Sequence, residues 1–215
     1  MIILSREESV AGSSPKLPPA ICGTLPALGI TGHRRGKLPQ EQDKFNALKN
    51  AVYYHLDCRL REGFRSFLTG LAGGTDYITT VYLAKKRREF PDVKIFGIQP
   101  FLNYENFFEM HYKKIALLNE MKCAVDDIII LSGEYNKKES FYTRNRFIAK
   151  YSDAILAVCS SSTHSGSANT LRYAREFHVP YCRIEPNPKV FYIPEPQDWC
   201  VEYVKDSGNI FRKYS

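Results

Sequence analysis

Three short stretches carry residue types suited to holding an anion, and each follows an apolar run. Gly32-His33-Arg34-Arg35-Gly36 follows residues 28–31, and Gly70-Leu71-Ala72-Gly73-Gly74-Thr75-Asp76 follows residues 66–69. A hydroxyl-rich loop, residues 160–170, contains Ser165-Gly166-Ser167-Ala168-Asn169-Thr170 and follows residues 154–159. A guanidinium presents a planar fork of donors that matches phosphate. A glycine turn opening a helix lets backbone N–H groups approach an anion, where a side chain would block them or forbid a positive φ. Hydroxyls at a helix start bind anions without charge, and Ser167 or Asn169 equally suits a helix cap. Arg144-Asn145 adds a further donor pair. Each stretch taken singly also has a structural reading: close strand–helix packing, a solvated basic turn, a capped helix. His33 fits a packed or capping histidine as well as a ligand, and His164 has no partner assignable from sequence.

Loops of this kind need elements to hold them, and the chain supplies an alternation of strand and helix. Apolar runs at residues 28–31, 66–69, 93–98, 128–131, 154–159 and 180–184 read as strands. Pro39 sits at a helix start, and Phe45, Leu48, Val52, Leu56 and Leu60 mark one helical face that Gly63 ends. Further helices are expected over residues 77–88, 105–123 (one long aromatic-rich helix), 141–151 and 168–177. This order predicts a Rossmann-like three-layer α/β sandwich, a mostly parallel sheet with helices on both faces. The domain is expected over residues 27–186. Residues 1–26 are expected to form a flexible arm with a short strand at 1–4. Residues 187–215 form a C-terminal extension with a short helix or strand near 199–204. Ligands of such sheets lie at the carboxyl ends of the strands. That rule gathers the three loops at one edge, with the N–H groups at Gly74 and Ser167 converging on one phosphate and Arg34 neutralising further charge.

Composition narrows the classes. The chain has 215 residues, of which 44% are hydrophobic, enough for one sizeable core. No apolar run is long enough to span a bilayer, and the start lacks a signal-peptide pattern. Six cysteines without C-x-x-C spacing argue against a zinc site and against a disulfide framework. No metal and no cofactor is therefore expected, and reduced thiols fit a cytoplasmic protein. A net charge of +7 suits polyanions, but the basic residues are scattered, so solvated faces account for most of them. A nucleic-acid partner is not demanded, no membrane partner is expected, and a homo-oligomer stays open.

Together, Gly32-His33-Arg34, the 70–76 turn, Arg144-Asn145 and residues 166–170 followed by Arg172-Tyr173-Ala174 resemble the YpsA-like branch of the SLOG superfamily. The resemblance runs over residues 28–184 and implies a pocket for nucleotides or nucleotide-derived ligands such as ADP-ribose relatives. By position it implies ligand contacts from Gly32, His33, Arg34, Gly70, Gly73, Gly74, Asp76, Arg144, Asn145, Ser165, Gly166, Ser167 and Thr170. LOG-type phosphoribohydrolases of that superfamily carry a P-G-G-x-G-T turn closely followed by a glutamate. Here Thr170 is followed by Leu171, Arg172 and Tyr173, and Ala168 stands where glycine is frequent. The expectation is therefore binding, for sensing or sequestering, with no assured catalytic residue. The alternatives are an N-glycosidic hydrolase using Asp76, and single-stranded nucleic-acid binding as in the DprA branch.

Overall fold

Six short, largely buried runs make the centre of the molecule: β2 (Ala27–Gly32), β3 (Ser66–Thr69), β4 (Lys94–Gln99), β5 (Asp127–Ile130), β6 (Ala154–Val158) and β7 (Tyr181–Ile184). Strands buried on both faces are the mark of a parallel sheet covered by helices. A computed structural model describes residues 2–3, 25–161, 165–187 and 195–204. In it the six strands are joined by β1 (Ile2–Ile3) and β8 (Cys200–Val204) in the order β1-β5-β4-β3-β2-β6-β7-β8. All neighbours are parallel except β8, which runs antiparallel to β7. The Rossmann-like α/β sandwich expected from the sequence is what the chain forms. The short strand expected at residues 1–4 is the β1 pair on β5. The remainder of the expected arm, residues 4–24, lies outside the described residues, as does the 205–215 end.

The chain moves outward from β2 through β3 and β4 to β5, then returns to β6 on the other side of β2. That reversal places the loops after β2 and β6 side by side, the crevice where such sheets bind ligands. Helices α1 (Gln42–Arg61) and α2 (Thr75–Lys86) cover one face; α5 (Lys137–Lys150) and α6 (Gly166–Glu176) pack together on the other. Side chains alternate accordingly: Leu28, Ile30, Leu156, Val158 and Ile184 join Leu48, Val52, Leu56 and Leu60 of α1. Ile155 and Ala157 instead meet Leu171 and Ala174 of α6. Trp199, at the end of a 3-10 turn (Pro196–Trp199), is 4% exposed and belongs to the α1-side core.

The single long helix expected over 105–123 is two helices, α3 (Tyr104–Tyr112) and α4 (Ile115–Ala124). Lys113 takes a left-handed conformation, φ 49°, and Lys114 is also non-helical, which breaks the α-ladder without glycine or proline. Helix α5 starts four residues earlier than expected, at Lys137, where the Asn136 N–H donates to Ser140 Oγ at 2.8 Å. Helix α6 starts at Gly166 because Ser165, not Ser167 or Asn169, is the cap: its Oγ accepts from the Ala168 N–H at 3.2 Å.

Two glycines decide how closely the first two loops approach. A Cβ on Gly32 would lie 2.2 Å from Thr75 Oγ1, inside van der Waals contact. Gly74 has φ +84°, and a Cβ there would lie 2.5 Å from the His33 carbonyl oxygen and 2.6 Å from the Arg35 nitrogen. The sequence thus lets the start of α2 press directly on the loop after β2. Gly74→Ala is expected to destabilise by at least about 1–3 kcal/mol from backbone conformation alone, lowering the melting temperature by roughly 2–4 °C per kcal/mol at this chain length. Gly36→Ala, where a side chain would meet nothing within 4 Å, should change stability by less than about 0.5 kcal/mol. Equal melting temperatures for the two variants would contradict the close approach.

Candidate functional site

A cavity of about 380 Å³ opens at the carboxyl ends of β2, β3 and β6, between the three loops and α5. Its floor is organised by Asp76 in the first turn of α2. The carboxylate is 5% exposed; its Oδ2 accepts from the Ala72 N–H at 2.9 Å, and the group also accepts from the Gly70 N–H. Arg144 of α5 crosses above it and donates from Nη1 to the Gly70 carbonyl at 2.8 Å. A Cβ on Gly70 would lie 3.1 Å from both the Arg144 guanidinium and Asp76 Oδ2, so glycine is what lets the pair close over the turn. Burial raises the Asp76 pKa to about 6, against the lowering effect of Arg144, the two N–H groups and Arg34. Arg144 Nε is itself buried with no partner among the described residues.

Arg34 behaves differently. It is exposed, in extended backbone, and its guanidinium lies over the Tyr112 ring at 4.3 Å from the centroid. Arg35 turns away to stack on Phe45 of α1 and bond the Pro39 carbonyl, so only the first of the adjacent arginines faces the cavity. His33 lines the cavity but is 4% exposed, and its Nε2 accepts the Ser160 N–H at 3.1 Å. That bond assigns the ring proton to Nδ1 and ties the first loop to the third. Burial, with the Lys37 charge, pushes the His33 pKa down, so the ring stays neutral.

On the third loop, Ser165, Gly166 and Ser167 line the cavity at the start of α6, held by Asn145 Nδ2 donating to the Gly166 carbonyl at 3.0 Å. A helix start of this kind favours negative charge through its unpaired N–H groups and dipole. Residues 162–164, His164 among them, lie outside the described residues.

Of the residues expected from the sequence, Gly32, His33, Arg34, Gly70, Asp76, Arg144, Asn145, Ser165, Gly166 and Ser167 line one cavity. Gly73, Gly74 and Thr170 do not. Gly74 is pressed against the backbone of residues 33–35. Thr170 is fully buried, bonding the Gly166 carbonyl beneath the loop and lying 3.3 Å from Thr31 Oγ1. The expected convergence of two helix starts on one phosphate is therefore not built. The Thr75 N–H at the start of α2 is taken by the His33 carbonyl at 3.1 Å, so α2 brings the Asp76 carboxylate to the cavity while Ser165, Gly166 and Ser167 line it at the start of α6. Lys37, Lys138, Phe141 and Tyr142 also line it and were not among the expected residues. Lys138, Phe141, Tyr142 and Asn145 fall at helical i, i+3, i+4, i+7 spacing, so the Asn145 position extended backwards along α5 points to them.

The buried carboxyl makes stability depend on pH in a stated direction. Between the ordinary aspartate value and about 6, folded Asp76 keeps a proton that the unfolded chain has lost. Raising the pH through that window removes the proton and therefore removes stability, on the order of 3 kcal/mol in total. The stability difference between the parent and Asp76→Asn should change between about pH 4 and 6 and be flat above it, whatever the constant offset. Denaturant titrations across that range check this, and parallel curves would contradict it.

No curated protein matches the chain. DNA processing protein A (DprA) from Streptococcus pneumoniae shares the fold, with a TM-score of 0.53 at 17% sequence identity over 80% of this chain and 54% of that one. The chain thus spans about half the length of that protein. A family model described as the YspA SLOG family matches residues 28–180, from the second residue of β2 to the start of β7. That match takes in every loop of the cavity and well over half of the sequence, and the chain belongs to the YspA SLOG family.

Proposed function

We propose that the cavity binds a nucleotide-derived anion, a nucleoside phosphate or a relative of ADP-ribose, and that the protein senses or sequesters it. The observation that carries this reading is the charge around one cavity. Arg34, Lys37, Lys138 and Arg144 surround it together with the start of α6, against the single carboxylate of Asp76. The volume suits a small organic ligand. Half-buried Phe141 and Tyr142 offer ring faces beside the cations, a surface on which a base can stack. Arg144 is fixed by Gly70, whereas Arg34 can leave the Tyr112 face to meet a phosphate at modest cost, since such stacking is worth about 0.5–1 kcal/mol at exposed sites.

A thermal-shift panel of nucleoside mono- and diphosphates, NAD and ADP-ribose tests the class. A ligand at a hundredfold its dissociation constant should stabilise by about 2.7 kcal/mol. A panel without any shift, alongside oligonucleotide binding that falls steeply with salt, would replace the small ligand by a nucleic acid. A second reading, cleavage of an N-glycosidic bond, rests on Asp76 alone, a carboxyl raised to about 6 inside the cavity. Its Oδ2 is occupied by the turn beneath it, so the expectation is no free base on incubation with nucleoside monophosphates or NAD. Base release by the parent that is abolished in Asp76→Asn would establish the enzyme instead.

Arg34 is the residue on which affinity should turn. Charge-assisted hydrogen bonds are worth about 1.5–3 kcal/mol, so Arg34→Ala should weaken binding by roughly tenfold to a hundredfold. The melting temperature should hold, because the side chain is exposed. Arg34→Lys should recover only part of the loss, since a point charge cannot make two parallel bonds. Undiminished affinity in folded Arg34→Ala, measured by titration calorimetry, would move the phosphate elsewhere.

A further inference from the structure

On the α1 face of the sheet, where β7 pairs with β8, a second constellation assembles from elements far apart in sequence. His55 comes from α1, Cys182 from β7 and Cys200 from the first position of β8. Their ligand atoms all lie within 4.8 Å of one another. Cys182 Sγ is 3.1 Å from Cys200 Sγ and 3.9 Å from His55 Nδ1, and both thiols are buried. A cavity of about 20 Å³, bordered by His55, Arg59, Cys182 and Tyr203, adjoins them. That is the room of about one water or one ion.

Two buried cysteines alone would need no account beyond packing, because a free thiol behaves as a small hydrophobe. The imidazole beside them does need one. Its Nε2 is buried without a partner among the described residues, and its Nδ1 meets only a thiol at 3.9 Å. Taking a polar ring out of water with such poor partners is costly.

We propose that His55, Cys182 and Cys200 form a binding site for a thiophilic divalent metal ion of the zinc class. Two thiolates and one imidazole are an established donor set for such an ion, with the fourth tetrahedral position left open. Binding releases the two thiol protons to solvent, and the two thiolate charges offset the two charges of the ion. A tetrahedral site with metal–sulfur bonds of about 2.3 Å sets the sulfurs roughly 3.8 Å apart. The thiols must therefore open by a little over about half an ångström. A disulfide of about 2.05 Å would need them to close by about one ångström and would leave the imidazole unexplained. An ion here ties β8 to α1, locking the last described strand onto the core.

The test uses the full chain, purified, reduced with a phosphine and freed of metal by a chelator. Titration with Co²⁺ should give one ion per chain, with thiolate-to-cobalt charge transfer in the near ultraviolet and the intense visible bands of tetrahedral coordination, all displaced by Zn²⁺. Cys200→Ser should abolish these bands. His55→Ala should weaken binding by at least about tenfold, the smallest loss expected even from a change outside the ligand set. Cys123→Ser, at an exposed position, should leave them intact. Because buried-cysteine variants can fail to fold, the parent carries an independent readout: stoichiometric Zn²⁺ should slow alkylation of Cys182 and Cys200, mapped by peptide mass spectrometry, without slowing that of Cys123. Three results overturn the proposal. One is the absence of both bands and protection in the folded parent. Another is weak octahedral bands that survive Cys200→Ser. The last is a Cys182–Cys200 disulfide formed with glutathione disulfide in a protein that binds no cobalt.

Discussion

Burying the Asp76 carboxylate under the glycine turn sets what every other group at the cavity can do. An acid out of water requires compensation, and four groups supply it: the guanidinium of Arg144, the N–H groups of Ala72 and Gly70, and the charge of Arg34. The compensation is incomplete, since the carboxyl still sits near 6. The N–H groups spent on Asp76 are the ones that a phosphate-cradling glycine loop would offer a ligand. The turn that most resembles an anion site is thus closed from inside, which leaves the start of α6 and the cations of the first loop and α5 as the groups that can meet an anion in the function proposed above. Gly70 belongs to the same knot, because a side chain there would press on both members of the pair.

The two arginines of the cavity divide the work by their surroundings. Arg144 is 8% exposed and spans Gly70 and Asp76, so its charge is preorganised and its removal would strand a buried carboxylate. Arg34 rests on the Tyr112 face in solvent and can reorient as a ligand arrives. His33 is a clip between loops, with its nitrogen on Ser160 and its carbonyl on Thr75. A fixed floor and one adjustable cation suit a ligand with a rigid phosphate position and a variable remainder.

Much of this was legible in the residues. Apolar runs bounded by glycine and proline located the strands of the main sheet, because strands buried on both faces leave no alternation to misread. The break between α3 and α4 was not legible: Lys113 enters the left-handed region at a residue type that carries no such signal. Gly74 was read as a ligand contact because a glycine required by a neighbouring carbonyl has the same letter as one required by a phosphate. Only the 2.5 Å clearance to the His33 oxygen separates the two cases. Tyr112 meets Arg34, and Lys138 reaches the cavity, from elements whose proximity depends on strand order. Cys182 and Cys200 meet through an antiparallel pairing of β7 and β8 that no cysteine spacing discloses.

In the function proposed above, a phosphate group sits between Arg34 and the start of α6, above the buried Asp76 and Arg144. The most direct measurement is a crystal structure of the protein grown with saturating ADP-ribose or with whichever nucleotide gives the largest thermal shift. The account predicts phosphate oxygens within hydrogen-bonding distance of the Arg34 guanidinium and the Ser167 N–H, with Arg34 lifted from the Tyr112 ring and Asp76 still bonded to Ala72. A ligand whose phosphate is held by the 70–74 turn, with Asp76 displaced from it, would contradict the account, as would an empty cavity beside a ligand bound elsewhere.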